Sequence, residues 1–74
     1  MTMPRFFAVN DRPVKIVERA DGGADVMVLH MGTGEWERDA RYLDFYFEGG
    51  RDVDILTEEE FKAAVAAIRK RLGL

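Results

Sequence analysis

Apolar residues are concentrated in three short segments along the first half of the chain, which turn residues separate. The segments are 5–9, 14–19 and 24–31, and β-branched and aromatic residues favour strands there. The separating residues, typical of tight turns, are Asn10-Asp11 and Asp21-Gly22-Gly23. Because such short connections cannot cross over to form parallel pairs, the pattern predicts an antiparallel β-meander.

The third segment is apolar on both of its faces. Val26 and Val28 point to one side of a strand, whereas Met27, Leu29 and Met31 point to the other. Gly32-Thr33-Gly34 then ends the segment. A strand with this pattern needs a cover on each face, either from the chain itself or from a partner.

The clearest helix is C-terminal. Thr57 followed by Glu60 is the capping-box pattern, so we expect Thr57 to be the N-cap. Gly73 is placed to end the helix as its C′ residue. Apolar residues recur between them at helical spacing and form one stripe to bury: Phe61, Ala64, Val65, Ile68 and Leu72. The stripe predicts a helix packed on one face of the sheet.

Residues 36–47 allow two interpretations. Leu43, Phe45 and Phe47 alternate with polar residues, as in a half-buried strand that Gly49-Gly50 would end. Trp36 and Ala40, taken with Leu43 and Phe47, also match one face of a helix. We favour a strand over 42–47 because three aromatics in five residues fit a pleated sheet. The following segment alternates briefly at Val53 and Ile55.

These elements predict one α+β domain spanning residues 1–74. Its sheet is a small antiparallel β-meander of three or four strands, with one C-terminal amphipathic helix packed on one face. A chain of 74 residues has a small core, since it buries only about 60% of the surface that its unfolded form exposes.

Charge is unevenly distributed around a net value of −3. Residues 39–60 carry two bases and eight acids, whereas 61–74 carry four bases and no acid. Overall acidity argues against binding to a phosphate backbone, so we expect no nucleic-acid partner. The basic run 69–71 is explained by its place in the last helical turn, where cations complement the helix dipole.

Several absences bear on the compartment. The chain has no cysteine, no basic-then-apolar leader and no apolar run near the roughly 18 residues that span a bilayer. We therefore expect a cytoplasmic protein without membrane contact. Eight arginines against three lysines resemble the bias of a GC-rich bacterial coding sequence.

Candidate chemistry is sparse. Without serine or cysteine, neither Ser-His-Asp nor Cys-His catalysis can be assembled. His30, the only histidine, could act only with a nearby carboxylate, and a hydrogen-bonded strand-end role is the simpler interpretation. Asp52 and Asp54 share one face of an extended segment but match no calcium loop, and turn chemistry explains them better. We expect no cofactor, no metal and no enzymatic activity.

The remaining hypothesis concerns the surface. Eight aromatic residues are a large supply for a small domain, and aromatics are enriched at interface centres. We expect a non-catalytic interaction or regulatory module that contacts a protein partner or a second copy through an apolar sheet face. Single-stranded nucleic-acid binding and acid/base catalysis by His30 are the alternatives. The candidate interface residues are Met27, Leu29, Met31, Trp36 and Tyr46.

Overall fold

A computed structural model of the chain describes residues 5–48 and 52–74 and contains a five-stranded antiparallel sheet between two helices. The spatial order of the strands is β4-β3-β2-β1-β5. The α+β class, the antiparallel sheet and the C-terminal helix are confirmed, while the sheet has one strand more than the upper expectation. The elements are β1 (Phe6–Val9), β2 (Arg12–Glu18), β3 (Ala24–Leu29), β4 (Trp36–Arg38), α1 (Arg41–Glu48), β5 (Val53–Ile55) and α2 (Glu58–Arg71).

The β1–β2 hairpin follows from its turn residues. Asn10 and Asp11 have φ values of 49° and 68°, the two positive angles that a type I′ turn requires. The turn fixes the register that brings Phe7 opposite Val14, and both of these side chains are fully buried. The tight turn expected here is therefore confirmed.

The two apolar faces of β3 are both covered. On one face, Val26 and Val28 join a core cluster with Phe7, Val9 and Val14. On the other face, Leu29 joins a second cluster that α2 completes with its own apolar residues, Phe61, Val65 and Ile68. The sheet is thus the middle of three layers, and each set of β3 side chains belongs to a different core.

Residues 42–47 are helical, so the strand favoured for them is wrong. Four side chains of α1 pack against the first cluster at helical spacing: Tyr42, Leu43, Phe45 and Tyr46. The helical alternative is confirmed for α1, in which Leu43 packs on the sheet, but its stripe differs from the one considered, because Phe47 is 60% exposed and Trp36 lies in β4. Tertiary packing overrides the strand propensity of the aromatics, since only a helix brings these four side chains onto one sheet face.

The start of α1 is fixed by Asp39. Its Oδ1 accepts hydrogen bonds from the Arg41 backbone N–H at 3.1 Å and from Arg41 Nε at 3.0 Å. The Arg41 guanidinium, hydrogen-bonded to this carboxylate, holds the pKa of Asp39 below its usual value of 3.8. This Asx-type turn redirects the chain from the edge of the sheet onto its face.

Helix α2 begins and ends as its sequence predicts. The Glu60 N–H donates to Thr57 Oγ1 at 3.1 Å, and the Thr57 N–H donates to the Glu60 carboxylate at 2.9 Å. Gly73 follows the last turn with a φ of 81°, as expected of a C′ glycine. The capping box and the helix end are confirmed.

The two edges of the sheet are the three-residue strands β4 and β5. Along an antiparallel ladder, hydrogen-bonded residue pairs alternate with pairs that are not hydrogen-bonded to each other, and the backbone N–H and C=O groups of the latter point away from the partner strand. His30 N–H donates to Glu35 O and Asp39 N–H donates to Val26 O, so the intervening Glu37 is also hydrogen-bonded to β3. The backbone N–H and C=O groups of Trp36 and Arg38 consequently face away from the sheet.

Neither of the two helices within the described ranges is long and apolar enough to cross a bilayer.

Candidate interaction groove

A groove of about 400 Å³ lies between β4 and the flank of α2. Its lining is mostly apolar carbon with cationic groups at its rim. We call it the α2–β4 groove, and its lining residues are Trp36, Phe61, Lys62, Val65, Ala66 and Arg69.

Trp36 forms the β4 side of the groove. Its ring stacks on Phe61, with centroids 5.7 Å apart and an interplanar angle of 18°. Lys15 Nζ lies 4.2 Å from the Trp36 ring centroid, within cation–π range. The indole therefore contacts one aromatic ring and one cation.

The α2 side follows from helical spacing. Lys62, Ala66 and Arg69 are four and three residues apart, so they lie along one flank of the helix beside its buried stripe. Ala66 is exposed and carries only a methyl group, which leaves the centre of the groove open.

Arg69 connects this flank to the turn before β4. Its Nε and Nη2 atoms donate to the Gly34 carbonyl oxygen at 3.2 Å and 3.1 Å. Gly34 has a φ of 74°, and a Cβ atom built there would lie 2.6 Å from Leu74 Cδ1. The positive φ favours glycine at this position, and the Leu74 side chain that a Cβ atom would meet is exposed and free to move.

Charged residues of both signs lie around the groove. Arg38 lies 3.5 Å from the half-buried carboxylate of Asp25, and Lys62 lies 3.2 Å from the exposed carboxylate of Glu58. Among residues 5–48 and 52–74, neither Lys15 nor Arg69 has a carboxylate within ion-pair distance. Acidic residues balance these cations, since Glu35 and Glu37 flank Trp36 in the sequence and Asp25 and Glu58 lie beside Arg38 and Lys62.

The candidate interface residues do not form one surface. Leu29 is fully buried beneath α2, and Met31 packs against the same cluster. Tyr46 lies on the opposite side of the sheet, where its ring is 5.5 Å from that of Phe7. These three residues contribute to the two cores.

Two candidates lie at or beside the groove. Trp36 lines it, and Met27 is half-buried on the same sheet face, between Lys15 and Arg38 in the strand register. The sequence analysis did not identify the α2 residues of the groove, Lys62, Ala66 and Arg69, as interface candidates. Their spacing is visible in the sequence, but nothing there indicates which sheet edge that flank would meet.

His30 is engaged in its own turn. Its Nδ1 accepts hydrogen bonds from the backbone N–H groups of Gly32 and Thr33, both at 3.1 Å. With these bonds the imidazole orders the β3–β4 connection, as Asn and Asp side chains do in Asx turns. A structural role explains its position.

Replacing His30 by alanine is expected to destabilise the fold by about 1–2 kcal/mol, because two exposed backbone donors lose their acceptor. His30→Asn retains a short side-chain acceptor and should recover at least half of this loss. Urea unfolding of both variants measures the difference. Equal stability of the wild type and His30→Ala would contradict the role of the imidazole in the turn.

Metal-binding geometry is missing from the parts of the chain that the structure describes, where no three His, Asp or Glu side chains group around a common point. Asp54 is exposed in β5, and Asp52 is exposed immediately before it. The preceding residues 49–51 of the Glu48–Asp54 segment lie outside the described residues.

Comparison of the chain with protein-family models, with curated proteins and with solved structures gives no match.

Proposed function

We propose that the protein is a small non-catalytic interaction module that binds a protein partner through the α2–β4 groove. One observation carries the proposal: half-buried Trp36 and exposed Ala66 form the sides of a groove whose floor is made by the core residues Phe61 and Val65. Aromatic side chains in such a setting are typical anchors of protein interfaces. A cytoplasmic, bacterial setting remains our expectation, in keeping with a cysteine-free, arginine-rich chain.

The proposal differs from the sequence-based expectation in the surface that makes contact. An apolar sheet face is not open for binding, because α1 and α2 each pack on one side of the sheet. The α2–β4 groove retains Trp36 from the expected interface and replaces Leu29 with residues of the helix flank. If the partner is a second copy of the chain, the same groove forms the interface of a homodimer.

The two alternative functions have less support. The sheet aromatics Phe6 and Phe7 are covered by Phe61 and Tyr46, so they offer no open platform for stacking bases. His30 has its Nδ1 committed to two backbone donors.

Site-specific photo-crosslinking in living cells tests the proposed function. A photoreactive amino acid placed at Ala66, inside the groove, is expected to capture one discrete protein species, which mass spectrometry then identifies. Ala63 is the matched control, because it is an exposed alanine of the same helix that does not line the groove. Capture at Ala63 as efficient as at Ala66, or no capture at either position, would contradict the proposal.

A further inference from the structure

The outer edge of β4 presents unpaired backbone groups directly beside the groove. The N–H and C=O groups of Trp36 and Arg38 point away from β3, and no strand of the described sheet lies beyond β4. A partner that is itself helical satisfies its own backbone and leaves these groups exposed. An extended segment can pair with them and extend the sheet, which is the β-augmentation mode of peptide recognition.

Three carboxylates form a row along this edge on the α1 side of the sheet. Glu37 lies opposite Val28, whose side chain belongs to the first core cluster, and the backbones of Glu35 and Asp39 continue the same ladder. Neighbours in the row are about 6.8 Å apart, as alternate residues of a strand are. Asp39 forms an ion pair with Arg41. Glu35 and Glu37 are exposed, and within the two described stretches of chain neither has a cation within ion-pair distance.

The cations around the groove lie on the other side of the sheet. Lys15 contacts the Trp36 ring on the α2 side, and Arg38 points to that side because it is two residues from Trp36. Lys62 and Arg69 belong to α2 itself. Carboxylates on this side compensate part of the positive charge. The sheet therefore separates an uncompensated acidic row from a nearly balanced apolar groove.

A second copy of β4 fits this edge poorly. When two copies pair antiparallel in one sheet, their α1 sides coincide, and directly opposed side chains point to the same side. Every α1-side residue from Glu35 to Asp39 is acidic, so such pairing brings like charges together. An occupant of the edge therefore has to carry positive charge on the α1 side.

The groove lies where the other side chains of an added strand would point. A sixth strand beside β4 would project every second side chain to the α2 side, toward Trp36 and Ala66. The space over Ala66 is open, and apolar atoms form the floor of the groove. Lys62 and Arg69 at its rim repel a cation, so this side favours an aliphatic side chain.

We infer that β4 binds an extended segment of a partner protein in which basic and aliphatic residues alternate, as an antiparallel sixth strand. The basic side chains lie beside Glu35 and Glu37, and the aliphatic side chains lie over Trp36 and Ala66. The inference rests on the proposed function and specifies the chemistry of the partner. Backbone pairing supplies the affinity, and the two sides of the sheet determine which side chains enter the groove.

A seven-residue capped peptide of alternating valine and lysine, with valine at both ends, is the probe. Trp36 is the only tryptophan, so its fluorescence reports binding directly. Hydrogen exchange of the Trp36 and Arg38 amides should slow at least about tenfold at saturating peptide. Val53 and Ile55, whose backbone groups face outward at the opposite edge of the sheet, should exchange at an unchanged rate.

Two control peptides separate strand pairing from general attraction between opposite charges. The first has glutamate in place of lysine and should bind at least about tenfold more weakly, because its carboxylates meet Glu35 and Glu37. The second has the composition of the probe but places its four valines before its three lysines. It should also bind at least about tenfold more weakly, because it cannot direct lysine to one side of the sheet and valine to the other.

Two pairs of protein variants test the two sides of the sheet. Glu37→Lys should weaken binding of the probe at least about tenfold, whereas Asp54→Lys, the same charge change on the opposite edge strand, should weaken it less than about threefold. Ala66→Lys should weaken it at least about tenfold by filling the groove with a cation, whereas Ala63→Lys, outside the groove, should weaken it less than about threefold. All four positions are exposed, so the variants should retain the circular dichroism of the wild type.

Any of four results would overturn the inference. They are equal affinity for the lysine and glutamate peptides, equal affinity for the alternating and block peptides, equal effects within either pair of variants, and unchanged exchange of the Trp36 and Arg38 amides. In the last case the carboxylates only protect the edge from aggregation. A dimer in sedimentation in which these amides are already protected would assign the edge to a second copy instead.

The fate of the proposed function is decided separately. If the peptide fails to bind and photo-crosslinking at Ala66 still captures a protein, the alternating basic strand is wrong and the proposed function stands. If both fail, the proposed function is wrong as well.

Discussion

Leu29→Asp is expected to abolish cooperative folding. Leu29 is 0% exposed and lies in the second core cluster with Phe61, Val65 and Ile68 of α2. Removing a buried leucine side chain costs about 2–5 kcal/mol, and an unpaired buried carboxylate adds to that loss. A domain of 74 residues has a total stability of about 4–11 kcal/mol, so the two effects together remove most or all of it.

Circular dichroism and the dispersion of the ¹H–¹⁵N spectrum measure this outcome. Val17→Asp is the control, because Val17 is on a strand but 42% exposed, and its variant should remain folded. A Leu29→Asp protein that remains folded but changes its mass in sedimentation would show that Leu29 belongs to an interface between chains.

Phe7→Ala is expected to destabilise the domain by about 3–5 kcal/mol. Phe7 is 0% exposed, and α1 covers it through Tyr46, so the truncation leaves a cavity between the sheet and the helix. Urea unfolding followed through Trp36 fluorescence measures the loss of stability. The Trp36 side chain packs against the second core, on the other side of the sheet from Phe7, so its signal reports global unfolding.

Phe47→Ala is the matched control for Phe7→Ala. Phe47 is a phenylalanine of α1 that is 60% exposed, so its truncation should cost about 0.5 kcal/mol or less. If Phe7→Ala lowers the free energy of unfolding no more than Phe47→Ala does, α1 does not cover the sheet face that contains Phe7.

The parts of the fold that the sequence predicts are those that local chemistry determines. Asn10-Asp11 tolerates the positive φ angles of a type I′ turn, and Thr57 with Glu60 forms a capping box within four residues. The continuous apolar run from Val26 to Leu29 likewise indicates a strand with two covered faces. None of these features needs information about distant parts of the chain.

The conformation of residues 42–47 depends on tertiary contacts. Tyr42, Phe45 and Tyr46 have strand propensity, yet the face of the sheet around Phe7 has to be covered, and a helix places their rings on it together. The α2–β4 groove depends on such contacts as well. Ala66 and Arg69 become groove residues because the buried stripe of α2 packs on the sheet and Phe61 stacks on Trp36, while Arg69 also binds the turn at Gly34.

The order of the strands has a consequence for synthesis of the chain. Strands β1 to β4 pair with their neighbours in sequence, but the outer edge of β1 is closed only by β5, in which Ile55 pairs with Phe7. A nascent chain that ends before β5 therefore exposes the edge of β1 and also the side chain of Leu29, because α2 has not yet been made. The domain completes its fold only after both β5 and α2 have been synthesised, because β5 closes the sheet edge and α2 covers the second core.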